Sequence, residues 1–317
     1  MHIARTIAAG LTLAVILAGS GWAQTAPGNA PVVVPGPAAD GAPPEAQQPG
    51  GAPMPGAPFP GAATAPAAEL ASQTSFRVCA DPANAPMSVK DGSGFENRIA
   101  ELFAAKLDRP LEYTWFPQTT GFIRKTLRAF ACDVVIGYAQ GDQLVQNTNH
   151  YYSSAYVIVT LAGGPLDGVD RISDPRLLGH RIGVTESSPP VNHMLHAGLL
   201  KTAAYYPLFV DRRVQDPAGD MLRDLHAGKI DAAILWGPIG GPAVKADPSL
   251  TMAPLLHEVG QPKLVYRITM GVRPADQAWK RQLNSLIRRN QAEIDAILRD
   301  SGVPLIDDEG TALKPPA

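Results

Sequence analysis

The carboxylates Asp81, Glu96 and Glu186 each stand beside a turn signal, where an acid or base could meet a substrate. Nothing in the sequence pairs one of them as base with another as acid. An enzyme such as a dehydratase is therefore a reading without an assigned mechanism, and the chain is read as a non-enzyme. His193 and His196 are three apart in a helix-patterned stretch and would share one face. A metal would need further ligands, and no Cys or carboxylate cluster adjoins them, so the sequence predicts two solvated histidines and no metal. Cys79 and Cys132 are the only two cysteines. The sequence contains no GxSxG, HExxH, Walker loop or CxxCH motif, which removes several enzyme classes and a covalent haem, and no cofactor is expected.

Such residues need rigid elements behind them. The run Asp133-Val134-Val135-Ile136-Gly137 is apolar without alternation and reads as a strand buried on both faces. A polar segment follows, then Tyr151-Tyr152, then a second apolar run at 155–159. Upstream, residues 76–80 read as a strand and 95–107 as a helix, with Ile99, Leu102, Phe103 and Leu107 at helical spacing. Residues 111–116 read as a strand and 122–130 as a helix. This β-α-β-α-β order predicts a parallel sheet with right-handed crossovers. Downstream the same grammar recurs: strand 182–184, helix 191–200, strand 205–210, helix 218–227, strand 229–236 and a short strand at 250–255. Strand 266–272 and a long helical region at 276–300 close the chain, and 309–317 reads as loose. Ligands in open α/β sheets bind at the carboxyl ends of the strands.

The chain has 317 residues, enough for two domains with real cores. Its net charge is −2, which gives no argument for nucleic acid or an anionic membrane. Arg5, an apolar stretch at 7–18 and Gly21-Trp22-Ala23 form a secretory signal with cleavage after Ala23. A membrane anchor is the rival, but the apolar run is too short to span a bilayer. Residues 24–72 are rich in Pro, Ala and Gly and nearly uncharged; they cannot bury enough surface to offset chain entropy. They read as a disordered linker, with a partner-docking arm as the alternative. The expected location is the periplasm.

Seven stretches together carry a resemblance: RVCADPANAPMS, GFENRIAELFAAKL, LEYTWFPQTTGFIRKTL, CDVVIG, YYSSAYV, KIDAAILWGPIGG and AEIDAILRDSGVPL. They resemble the quinoprotein-dehydrogenase-associated (MoxJ/MxaJ/XoxJ-like) subgroup of type 2 periplasmic solute-binding proteins, over residues 76–305. The resemblance implies an α/β fold of two Rossmann-like lobes with a central cleft and two crossing strands. Lobe 1 would hold 73–162 and 264–317, and lobe 2 would hold 163–263. It implies a partner, a PQQ-dependent methanol-type alcohol dehydrogenase or its cytochrome, and with it a role in binding or maturing that enzyme. The alternative is a transport receptor for a small non-amino-acid ligand.

The cleft wall implied by this alignment is Asp81, Asn84, Phe95, Glu96, Gln118, Tyr138, Tyr151, Ser187, Ser188 and Trp236. Amino-acid receptors of this fold hold the ligand carboxylate with an Arg after the third strand; Gly141 falls there, and 138–150 contains no Arg or Lys. They hold the ammonium with an Asp after the second-lobe strand; Trp236 falls there. Pro189 and Pro190 also remove two amide donors from the helix start that would complete the anion site. The sequence thus predicts a cleft that does not bind ordinary α-amino acids tightly. In this fold the strands of Cys79 and Cys132 are neighbours, and an exported chain favours a disulfide; two buried thiols out of register are the rival.

Overall fold

The computed structural model describes residues 70–141 and 143–316. The signal segment and the Pro/Ala/Gly-rich stretch through residue 69 lie outside the described residues. The last three residues read as linker belong to the packed fold. Ala71 is buried, the Leu70 amide donates to Asp276 Oδ1 at 3.1 Å and the Ser72 amide donates to Asp133 Oδ2 at 3.0 Å. Buried carboxylates distant in sequence supply those acceptors, and local composition carries no sign of them.

The strands are β1 (Phe76–Ala80), β2 (Ala83–Asn84), β3 (Ser88–Val89), β4 (Leu111–Trp115), β5 (Val134–Ala139), β6 (Gln146–Asn147), β7 (Tyr152–Leu161), β8 (Ile182–Thr185), β9 (Ala204–Tyr206), β10 (Ala232–Trp236), β11 (Leu250–Pro254) and β12 (Val265–Val272). The helices are α1 (Phe95–Leu107), α2 (Phe122–Lys125), α3 (Pro190–His196), α4 (Pro217–His226), α5 (Gly237–Ala246), α6 (Gln277–Arg289) and α7 (Gln291–Asp300). One sheet runs β4-β1-β5-β12-β7-β10-β8-β9, with β6 added on β12 and β11 on β7. β4, β1 and β5 are parallel, as are β10, β8 and β9. Helical crossovers within each set require this. Between the sets, β12 and β7 are antiparallel to their neighbours. β7 is long enough to serve both: Tyr152 to Ala155 pair with β12, and Tyr156 to Val159 pair with β10.

Both parallel sets are covered on two faces, which is why their strands read as continuous apolar runs. Phe95, Ile99 and Phe103 of α1, with Trp279, Leu283 and Leu286 of α6, bury against Phe76, Val78, Val134 and Ile136. The other face packs Phe122, Ile123 and Leu127 around Cys79 and Cys132. In the second set, Met194 of α3 packs against Ile182 and Leu199, and Met221 and Leu225 of α4 pack against Val157 and Leu235. A buried ion group stabilises the first set from below. Arg273 Nη2 reaches Asp133 Oδ1 at 2.5 Å and its Nη1 donates to Cys132 O at 2.6 Å. Its Nε lies 2.7 Å from Asp276 Oδ2, an ion contact outside hydrogen-bond geometry.

Several sequence expectations are corrected. The helix expected at 122–130 stops at Lys125, where Thr126 turns out of helical geometry (φ −117°, ψ −82°) and its Oγ1 donates to Phe122 O at 2.7 Å. The long helix at 276–300 divides at Asn290, which is non-helical (φ −118°, ψ 20°) and whose Nδ2 donates to Leu286 O at 2.8 Å. The strand at 205–210 shrinks to β9. α5 is a helix that the sequence pattern did not predict. The C-terminal residues are held rather than loose: Arg299 Nη2 donates to Lys314 O and Pro315 O, and Lys314 Nζ lies 2.6 Å from Asp295 Oδ2.

Candidate ligand cleft

The carboxyl ends of β1, β4 and β5 bring most of the first-half candidates to one edge. Asp81 leaves β1 buried, with Oδ1 accepting from the Ala83 amide at 2.9 Å and Oδ2 from the Gln118 amide at 2.7 Å. Both oxygens are thus occupied in tying two loops together. Gln118 is exposed, and its Oε1 accepts from Asn84 Nδ2 at 3.0 Å. Asn84 is buried, and its Oδ1 has no hydrogen-bond partner. Phe95, expected at the wall, is 1% exposed and belongs to the core under α1, because it is the first inward position of an amphipathic helix.

Glu96 follows on α1 and turns to the strand ends. A Cβ on Gly137 of β5 would sit 1.9 Å from Glu96 Oε1, so the glycine makes the room that this carboxyl occupies. Burial pushes its pKa up to about 7. Tyr151 and Tyr152 stand close by, rings edge to face at 5.0 Å between centroids. Both hydroxyls are pushed well above the ordinary tyrosine range, first by burial and further by the nearby Glu96 charge. The Tyr151 hydroxyl is buried without a hydrogen-bond partner. Tyr138 instead packs beside the Cys79–Cys132 group on the opposite face.

The second half contributes less. Ser187 is exposed in the left-handed region (φ 55°), and Ser188 is turned inward, its Oγ donating to Thr185 O at 2.6 Å. Trp236 is half-buried and meets Tyr156 at 5.4 Å and Tyr266 at 5.8 Å between ring centroids; Tyr156 and Tyr266 are 6.4 Å apart. Trp236 pairs with Tyr156, and Tyr266 with Ser154, in the sheet register. Residues paired across strands share a face, so these rings lie on one side of the crossing strands. Sequence reasoning found Trp236 and missed the other two. Their alternation with Tyr152 and Ile268 along β7 and β12 was the available signal.

The expected residues therefore divide. Asp81, Asn84, Gln118 and Glu96 gather at one edge with Tyr151 behind them, Trp236 sits over the crossing strands, and Phe95 and Tyr138 face elsewhere. A cavity of about 590 Å³ lies apart from this group, against Asn149, His150, Asn284, Arg288 and Lys314, and shares only Tyr151 with it. Cys79 and Cys132 form a disulfide with Cα atoms 5.4 Å apart. His196 is exposed, whereas His193 is 5% exposed and its Nε2 lies 2.7 Å from Pro262 O. The two are three apart on a short helix, and only one of them faces the segment that returns toward β12. Among the described residues no group of three His, Cys, Asp or Glu side chains is placed to hold a metal, and no helix is long and apolar enough to cross a membrane.

Two solved structures share this arrangement over their whole length. The periplasmic binding protein XoxJ from Methylobacterium extorquens AM1 is 40% identical, with 74% of this chain and 100% of that chain aligned and a TM-score of 0.63. MxaJ from Methlophaga aminisulfidivorans MPT is 26% identical, covering 73% and 100%, with a TM-score of 0.62. The mixed sheet, its two antiparallel central strands and these neighbours define a type 2 periplasmic binding protein. A curated relative, protein MoxJ of Methylorubrum extorquens, is 32% identical over 262 residues, 77% of this chain and 86% of the relative. The chain belongs to the MoxJ family of periplasmic binding proteins. No family model matches it.

Proposed function

We propose that this chain is a non-enzymatic periplasmic accessory protein of a PQQ-dependent, methanol-type alcohol dehydrogenase system. Its binding-protein fold acts on the dehydrogenase, by docking to it or assisting its maturation. Membership of the MoxJ family carries the reading, because the J-type proteins that the sequence resembles are encoded beside such dehydrogenases and their cytochromes. The edge built by Asn84, Glu96 and Gln118, facing Trp236 across the crossing strands, is the proposed cleft. Residues 73–162 and 264–317 form its first lobe and 163–263 its second. Deleting the gene in its host should lower periplasmic dye-linked alcohol dehydrogenase activity and the amount of holo-enzyme. An unchanged holo-enzyme level would overturn the proposal.

A second reading, a receptor for a small non-amino-acid ligand, has its own support. Asn84 Oδ1 and the Tyr151 hydroxyl are buried and unpartnered, and such groups ordinarily find a partner. Both can accept a hydrogen bond, and Glu96 beside Tyr151 adds a carboxyl, which suits a ligand rich in donors. Native mass spectrometry of the exported protein separates the readings: a co-purifying small molecule supports the receptor, and a bound dehydrogenase supports the accessory role.

A further inference from the structure

β9 and the loop that leaves it expose apolar side chains that the fold itself does not use. Tyr205, Leu208, Phe209 and Val214 are 46%, 38%, 80% and 79% exposed within ten residues. None of them joins a hydrophobic cluster. Single exposed apolar residues are ordinary, but several on one short loop form a patch of the kind that marks a contact surface. The Thr185–Tyr206 pairing places the loop beside the carboxyl end of β8, next to the exposed Glu186 and Ser187. Open α/β sheets bind their ligands at this edge.

The loop's charges indicate what covers it. Asp211 accepts from Arg213 Nε at 2.8 Å and Nη2 at 2.6 Å. Asp216 caps α4, accepting from the Gly219 amide at 2.9 Å. Arg212 is exposed and has no hydrogen bond or ion pair among the described residues. One guanidinium without an ion pair thus stands among apolar groups. A second copy of this loop would offer Arg212 only carboxylates already engaged, Asp211 by Arg213 and Asp216 by the Gly219 amide, which disfavours self-association through this loop. One free cation is a weak hold on an anionic bilayer, which polybasic segments bind by number. A protein socket needs only one carboxylate at its rim to fix register.

We infer that the loop at 205–214 is a protein-docking element. It seats Phe209 and Val214 in an apolar socket of the partner, with Arg212 meeting a carboxylate at the rim. The identity of the partner rests on the accessory reading above. The test uses the full exported chain and the dehydrogenase encoded in the same organism, in apo and PQQ-loaded forms, with binding followed by biolayer interferometry. The double variant F209D/V214D and, separately, Arg212→Glu should each weaken binding at least tenfold. Leu178→Asp, at an exposed apolar position ahead of β8, should bind like the unsubstituted chain, and all variants should keep its melting temperature. Undiminished binding by F209D/V214D overturns the docking surface and leaves the accessory reading standing. No binding of the unsubstituted chain to either form overturns both. A photo-crosslinker at position 209 should link to the dehydrogenase. Linking to a second copy, or retention on phosphatidylglycerol vesicles that Phe209→Asp abolishes, overturns the protein-partner assignment.

Discussion

Glu96 is a carboxyl fitted into space that Gly137 leaves open, beside two buried tyrosines, and no hydrogen bond reaches it among the described residues. Desolvation raises its pKa from 4.5 to about 7 in the folded protein, so the folded state keeps a proton that the unfolded chain has released. The sign follows directly. The folded state binds more protons between pH 4.5 and about 7, so stability falls as pH rises through that window. Stability from this group is complete below 4.5 and lost above about 7. A shift of this size corresponds to roughly 3 kcal/mol. Glu96→Gln should therefore unfold at the same urea concentration as the unsubstituted protein near pH 4. At pH 8 it should be more stable by up to about 3 kcal/mol. Parallel pH profiles for the two proteins would refute the burial assignment. The sequence put Glu96 at the wall through the GFE stretch, but not its environment. Gly137 reads as one more residue of an apolar strand until the carboxyl beside it is seen.

Two elements show where local pattern suffices and where it fails. The disulfide joins β1 to a residue two positions ahead of β5, across a sequence separation of 53. The cysteines were assigned through fold and compartment rather than spacing, and strand adjacency brings them together. Closing a loop of that length stabilises by about 4 kcal/mol on the chain-entropy account. Cys79→Ser with Cys132→Ser should lower unfolding free energy by about that amount in urea titrations, and a thiol assay on denatured, unreduced protein should find none. α5 is the opposite case. Its sequence GPIGGPAVKA holds three glycines and two prolines, poor helix formers by propensity. It is helical because it packs where side chains cannot fit. A Cβ on Gly241 would lie 2.1 Å from Gly302 O, and one on Gly237 would lie 2.4 Å from Ala155 O. Those neighbours are backbone and cannot yield, so tertiary contact overrides propensity. Gly241→Ala should destabilise by about 1–3 kcal/mol, although alanine improves helix propensity. A gain in stability would mean that the close approach is not rigid.

At the scale of the molecule, two parallel sets of strands with helices on both faces, joined through β7 and β12, were legible because doubly covered strands and crossover helices leave strong patterns. The details that set what the cleft accepts were not, because they depend on contacts between distant stretches. Trp236 is wedged between Tyr156 on β7 and Tyr266 on β12. The rings are 5.4–6.4 Å apart, which is the spacing of packed aromatics and leaves no gap for a cation between them. No Arg or Lys lies between Tyr138 and His150 to meet a carboxylate. Of the two acids at the edge, Asp81 already gives both oxygens to backbone amides, and burial keeps Glu96 protonated up to about pH 7. An α-amino acid entering this space would have to bury its carboxylate without a cationic partner, and removing one partner of a buried charge pair costs about 3–5 kcal/mol. At about 1.4 kcal/mol per factor of ten, that missing partner weakens binding by roughly two to four orders of magnitude. Isothermal titration of the exported protein with each standard amino acid should therefore give no sub-micromolar binding. A single amino acid bound that tightly would mean that the cleft recruits a charge partner from elsewhere in the chain, and the sheet edge beyond β8, with Glu186 and Arg212, would be the first place to look.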